Sequence, residues 1–359
     1  MLPEAGDAAG GRGPGARSGQ FSEQLPLCAG CGRLCRVFPR IWSVMHMSRR
    51  PAATAIVLAA VLASAVALPA LPARPAAAAA TPPSAARTGP TGVHARGADL
   101  ADATTGRRLW SRRLNARRPM ASITKVMTAL VVIRAGHLGR EIRISDAVAA
   151  YARRNPDASI AGLHAGDVLT ARQLLEGMLL PSGSDAAFAL ARAYGRGWRA
   201  FVRKMNATAK RLGMTGTHYA NFDGLPWPTE HSTYSTPHDL VILGDAAMKS
   251  VIFRNIVRQR SHRIGATARH HRYHWQTTNL LLGSYPGVVG IKTGSTKGAG
   301  YCLLFEARHA GRALIGVVLD SSGTNPDARF KDAARLLNWA FHLSHPLRIR
   351  PGPARVLAD

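Results

Sequence analysis

The sequence predicts an α+β protein in which an antiparallel sheet is covered by helices and an all-helical lobe is inserted between its strands. Three observations carry this. Strand patterns stand near residue 100, a helical stretch fills the middle, and strand patterns return after residue 270 before one last amphipathic helix.

Each element has a local cause. Residues 98–102 and 109–111 flank Thr104-Thr105-Gly106 and read as a hairpin. An apolar helix then starts at Ser122, with Val126, Leu130 and Ile133 at helical spacing and Gly136 as its stop. Further helices are predicted over 171–180 after Thr170, from Asp185 to Gly195, over 198–212, and from Thr236-Pro237 to about residue 249. Strands follow over 273–277, 288–292, 301–307 and 313–319, the last two joined around Gly311, and a helix over 328–341 closes the pattern. No internal repeat is visible.

The first 80 residues read as processing signals rather than fold. An uncharged run over 51–73, with Ser48-Arg49-Arg50 before it and the small residues 76–80 after it, has the order of a secretory signal. A run of that length is also long enough to serve as an uncleaved membrane anchor. The expected layout is an upstream extension or mis-assigned start over 1–46, a signal peptide over 47–80, and a Pro/Ala/Thr/Gly-rich linker over 81–95. A folded domain over 96–345, with its helical lobe at about 145–250, and a tail over 346–359 complete it. Cys28, Cys31 and Cys35 fall in the upstream stretch without a nearby fourth ligand, and Cys302 falls in an apolar strand pattern, as a buried core residue. An exported domain with one cysteine has no internal disulfide.

The chain carries a formal charge of +27, and +22 remains after its first 80 residues are set aside. Such an excess suits an anionic environment: a membrane surface, a nucleic acid or an acidic wall polymer. Export argues against nucleic acid, as do arginines scattered without interleaved aromatics. The histidines His262, His270, His271 and His274 lie among Arg263, Arg269 and Arg272, which repel cations, so the segment reads as a basic hairpin rather than a metal site. No metal or organic cofactor is expected.

Three short segments carry chemistry. In Ser122-Ile123-Thr124-Lys125 the serine and lysine share one helix face, and apolar neighbours on both sides bury the lysine. Burial lowers an amine's pKa and lets it act as a base toward a serine hydroxyl that is otherwise nearly inert. Ser182-Gly183-Ser184 lies in a tight turn between two helices, where it can cap the second helix or pass protons. Lys292-Thr293-Gly294 ends the apolar strand from Val288; its cation can hold a carboxylate and its glycine admits another backbone. An extended peptide could then add to that strand.

In order and separation these segments resemble the D-alanyl-D-alanine carboxypeptidase family of low-molecular-mass penicillin-binding proteins, peptidase family S11. The likeness spans about residues 98–341 and includes Leu163-His164-Ala165-Gly166-Asp167, Asn221-Phe222-Asp223-Gly224-Leu225 and Thr278-Asn279-Leu280-Leu281. It implies a β-lactamase/transpeptidase-like fold and an exported serine D,D-peptidase, outside the cytoplasm, acting on peptidoglycan stem peptides. Ser122 is then the acylated nucleophile, Lys125 its base and Ser182 a proton shuttle. Ser184, Lys292, Thr293, Gly294 and Ser295 bind substrate, with the Ser122 and Ser295 amides as oxyanion hole. Arg329 matches an arginine that helps recognise the terminal carboxylate, and β-lactam antibiotics are implied as acylating inhibitors.

Two features depart from the family pattern. Ser184 stands where asparagine is usual, which offers one donor in place of two and favours passing the acyl group to an amine. From the sequence after the last helix, the C-terminal β-rich module and amphipathic anchor of many relatives are not expected. The alternatives are a D,D-transpeptidase or D,D-endopeptidase of the same fold, and, from another class, a non-catalytic wall-binding protein. A β-lactamase is disfavoured, since Glu230 lies in Thr229-Glu230-His231 rather than in the context of a deacylating base.

Overall fold

The computed structural model describes residues 89–342; the predicted extension, signal peptide, most of the linker and the tail lie outside them. Five antiparallel strands form one sheet in the order β2-β1-β9-β8-β7: β1 (Gly97–Asp102), β2 (Arg108–Arg112), β7 (Val288–Thr296), β8 (Gly300–His309) and β9 (Arg312–Leu319). The central strands are apolar on both faces because both faces are covered. Leu303, Phe305, Leu314 and Val318 meet Phe330, Leu336 and Leu337 of the last helix, α8 (Ala328–Phe341). Leu304, Ile315, Val317 and Leu319 point the other way, into the core shared with the remaining helices. Cys302 is buried there, where burial pushes its thiol up to about 12.

Between β2 and β7 run a 3₁₀ turn (Ala121–Ile123) and seven helices. These are α1 (Thr124–Ala135), α2 (Asp146–Arg154), α3 (Ala171–Leu179), α4 (Ser184–Tyr194), α5 (Trp198–Arg211), α6 (Pro237–Met248) and α7 (Val251–Val257). Two small hairpins pair β3 (Glu141–Arg143) with β4 (Val168–Thr170) and β5 (Ser261–Ile264) with β6 (Tyr273–Gln276). Every residue of α1 from Thr124 to Val132 is buried, the mark of a helix packed on all sides. Helix starts follow sequence chemistry: Thr170 and Gln173 form a reciprocal capping box, and the Thr236 hydroxyl accepts from the Asp239 amide with Pro237 next to the cap.

Three expectations change. Ser122 lies in a 3₁₀ turn that opens on Ala121 at φ +49°, and the α-helix begins two residues after the serine. The Lys-Thr-Gly segment does not end its strand: β7 runs on to Thr296, paired with β8 from Lys292↔Leu304 to Thr296↔Gly300. The short elements α2, α7, β3, β4 and β5 had no periodic signal long enough to register.

The segment ahead of β1 is fastened by one carboxylate. Asp332, fully buried on α8, accepts from the His94 amide at 3.0 Å and the Ala95 amide at 2.7 Å, and pairs with Arg335 at 3.2 Å. Removing it leaves two amides without an acceptor, so Asp332→Ala should lower unfolding free energy by about 2–4 kcal/mol. Urea denaturation followed by circular dichroism checks this, and an unchanged midpoint would count against it.

Candidate active site

The Ser122 turn is held between two glycines. Gly224, at φ +85°, lies so close that a Cβ there would come within 1.9 Å of the Ala121 carbonyl oxygen. On the other side a Cβ on Gly294 of β7 would come within 2.6 Å of the Met120 carbonyl and 3.2 Å of the Ser122 amide. Only glycine permits both approaches. The loop around Gly224 is also tied to α1, since the Thr128 hydroxyl donates to the Phe222 carbonyl at 2.6 Å. Ala121 keeps its left-handed φ because these neighbours leave the turn no alternative.

Within this clamp Lys125 Nζ donates to Ser122 Oγ at 2.9 Å. The serine is half-buried, open toward solvent on one side, while Lys125 is fully buried. Burial pushes the amine down to about 8, against the opposing pull of Asp223 and Asp185. A measurable fraction of Lys125 is thus uncharged near neutral pH and able to accept the hydroxyl proton.

Ser182 sits in the turn between α3 and α4, buried and at φ +69°. Gly183 takes the cap position of α4 and no side chain caps that helix, so neither Ser182 nor Ser184 has the capping role its position suggested. The turn is anchored instead by Asp185, which accepts from the amides of Ala161 at 2.8 Å and Leu163 at 3.1 Å. Ser184 is fully buried beside the Asp223 carboxylate, which also takes a hydrogen bond from Tyr151 Oη at 2.7 Å and from the Leu225 amide at 3.1 Å. Burial raises Asp223, and Lys125, Tyr151, Leu225 and Ser184 oppose that rise.

The third segment lies in the edge strand β7, which pairs only with β8 and leaves its other side unpaired within the sheet. Lys292 is buried, and its amine is pushed well below the ordinary lysine value by burial first, then by the charges of Lys125 and Arg329. Thr293 joins this strand to the Ser182 turn: its hydroxyl meets the Thr278 hydroxyl at 2.6 Å, and the Thr278 amide donates to the Leu180 carbonyl at 3.1 Å. Ser295 is exposed one residue beyond Gly294. Arg329 is nearly buried, donates from Nη1 to the Gly294 carbonyl at 3.2 Å, and lies over the rings of Tyr301 and Phe330. It therefore reaches the site through the main chain of β7 and through its charge.

Sequence reasoning gave no role to Asp223, Gly224, Asp185 or Thr278, although two short segments it singled out contain three of them. The histidines of the β5–β6 region act as structural partners: His262 meets Glu176 at 2.8 Å and His271 meets Asp167 at 2.9 Å. Among the described residues no group of three or more His, Cys, Asp or Glu is placed to hold a metal ion.

Comparison with known proteins gives the family. The model of the D-alanyl-D-alanine carboxypeptidase family, peptidase family S11, matches residues 83–323. A D-alanyl-D-alanine carboxypeptidase of Streptomyces sp. strain K15 is 38% identical over 82% of this chain and 99% of its own length. The DacB2 carboxypeptidase of Mycobacterium tuberculosis is 37% identical over 68% of this chain and 81% of its own. The crystal structure of the Streptomyces K15 DD-transpeptidase superposes with a TM-score of 0.67 at 39% identity, covering 72% of this chain and all of that one. The DacF carboxypeptidase of Bacillus subtilis is matched over 66% of its length. The chain belongs to the D-alanyl-D-alanine carboxypeptidase family, peptidase family S11, and is a serine-type enzyme of that family.

Proposed function

We propose that this chain removes the terminal D-alanine from peptidoglycan stem peptides through an acyl-enzyme on Ser122. The observation that carries the reading is the 2.9 Å contact between Ser122 Oγ and a buried Lys125 whose amine is pushed down to about 8. Lys125 takes the hydroxyl proton as the oxygen attacks the carbonyl carbon between the two D-alanines. The substrate main chain lies along the unpaired edge of β7, with its terminal carboxylate toward Lys292 and Thr293. The amides of Ser122 and Ser295 face the developing oxyanion. Arg329 fixes Gly294 and adds positive charge behind it, Ser182 returns the proton to the departing amine, and water releases the acyl group.

Family membership places the enzyme at the cell wall, outside the cytoplasm. Export by the segment over 47–80 is the finer part of the proposal, and that segment lies outside the described residues. No helix among the described residues is long and apolar enough to cross a membrane.

One observation favours a second reading, transfer of the acyl group to an amine. Ser184 replaces the usual asparagine beside Asp223, and one of the most similar solved structures is named a DD-transpeptidase. Incubation with a pentapeptide, with and without an amine acceptor, separates the two by product mass. Under the transferase reading Ser184→Asn should raise the hydrolysed fraction; an unchanged ratio would remove this residue from the choice of acceptor.

Two further outcomes test the main reading. A fluorescent penicillin should form a stable adduct with the wild-type chain and none with Ser122→Ala; an absent wild-type adduct would favour a non-catalytic wall binder. Acylation should rise with pH through about 8 as Lys125 loses its proton. Asp223 holds that value up, so Asp223→Asn should move the rise to lower pH; a shift to higher pH would sink the assignment of Lys125 as base.

A further inference from the structure

At the end of α1 away from Ser122, roughly 16 Å along a helix of this length, the C-termini of α1 and α4 and the first turns of α5 frame a groove of about 510 Å³. His137, Arg140, Arg196, Arg203 and Lys204 line it, and no carboxylate does. All five are exposed. The surrounding chain is equally one-sided: residues 186–222 hold seven Lys or Arg and no Asp or Glu.

Two of these cations have work in the fold. Arg140 donates to the Ala193 carbonyl at 2.9 Å and Lys204 to the Tyr194 carbonyl at 2.5 Å, which satisfies the end of α4 and complements its dipole. The side chains of Arg196 and Arg203 make no hydrogen bond or ion pair with any described residue. Guanidinium forks held near one another without counter-charge repel, and an anion relieves that repulsion. Their planar donors match the oxygens of a phosphate.

We propose that this groove docks a linear phosphodiester polyanion of the cell envelope. Its concave shape admits a chain and does not present a plane. A helix that lies on a bilayer buries an apolar face, whereas the exposed large hydrophobic residues among those described are Ile160 and Val251, neither of which lines the groove. The groove and the serine lie at opposite ends of α1, so a docked polymer leaves the serine open.

The test is binding of the full chain to soluble poly(glycerol phosphate) at low salt. Arg196→Glu/Arg203→Glu should weaken it by about tenfold or more, from the loss of two surface cations. Arg263→Glu/Arg272→Glu, on the β5–β6 hairpin, changes net charge equally and should weaken it far less. Equal losses in the two variants, or none in the first, would overturn the proposal, as would binding to phosphatidylglycerol vesicles without binding to the polymer. If charge reversal harms folding, Arg196→Gln/Arg203→Gln replaces it with a smaller expected loss, and no loss there also overturns the idea. Penicillin acylation of Ser122 should be unchanged in each, which separates failure of docking from failure of the serine chemistry.

Discussion

A lysine amine buried against a serine hydroxyl is the constraint on which the rest of this structure depends. Keeping Lys125 out of water while leaving one side of Ser122 open requires cover from every other direction. That cover accounts for a helix apolar on all sides, enclosed by the lobe and the sheet. It also accounts for the two glycines, since the loop at Gly224 and strand β7 must approach the turn to within backbone contact. A side chain at either position would push one wall away and admit water to the amine.

Dry surroundings alone would push Lys125 further toward its neutral form, and the neighbouring charges set how far it goes. Asp223 and Asp185 pull its affinity for a proton up; Lys292 has its own affinity pushed down by burial first and then by the charges of Lys125 and Arg329. Asp223 is itself held by Tyr151 and the Leu225 amide, so its position is fixed by α2 and by its own loop rather than by the lysine. Ser184 lies against this carboxylate, where an asparagine would bring an amide with two donors.

What the sequence disclosed, and what it withheld, follows from how far each interaction reaches along the chain. The hairpin strands, the closing helix over 328–341 and the Ser122–Lys125 pair rest on neighbours within a few positions, and periodicity or a three-residue spacing exposes them. The end of β7 was misplaced because Gly294, Ser295 and Thr296 are turn-forming residues by composition, yet each is registered against β8. There the glycine serves a contact with residue 120, invisible to local reading. Asp223 was likewise recognisable as part of a family-like segment, but its meaning comes from Tyr151, Ser184 and Lys125, which lie 39 to 98 positions away. Thr278 also falls in a family-like segment, but its role as the link between the second and third segments comes from Thr293 and Leu180, which are distant in the chain.

In the proposed reaction the arrangement of charges lets substrate binding prepare the base. A terminal carboxylate arriving at Lys292 and Thr293 favours the charged form of Lys292 and so raises its affinity for a proton. A charged Lys292 repels the Lys125 ammonium, which burial already disfavours and which Asp223 and Asp185 help to hold. That repulsion favours the uncharged form of Lys125, whose amine lies 2.9 Å from the Ser122 hydroxyl. A peptide lacking the free carboxylate gives no such push, so the pair discriminates by protonation state as well as by contact. This division needs both lysines buried in one pocket with too few carboxylates to neutralise them, Arg329 included. A site with a single lysine could bind the same substrate but would not couple binding to activation of the base.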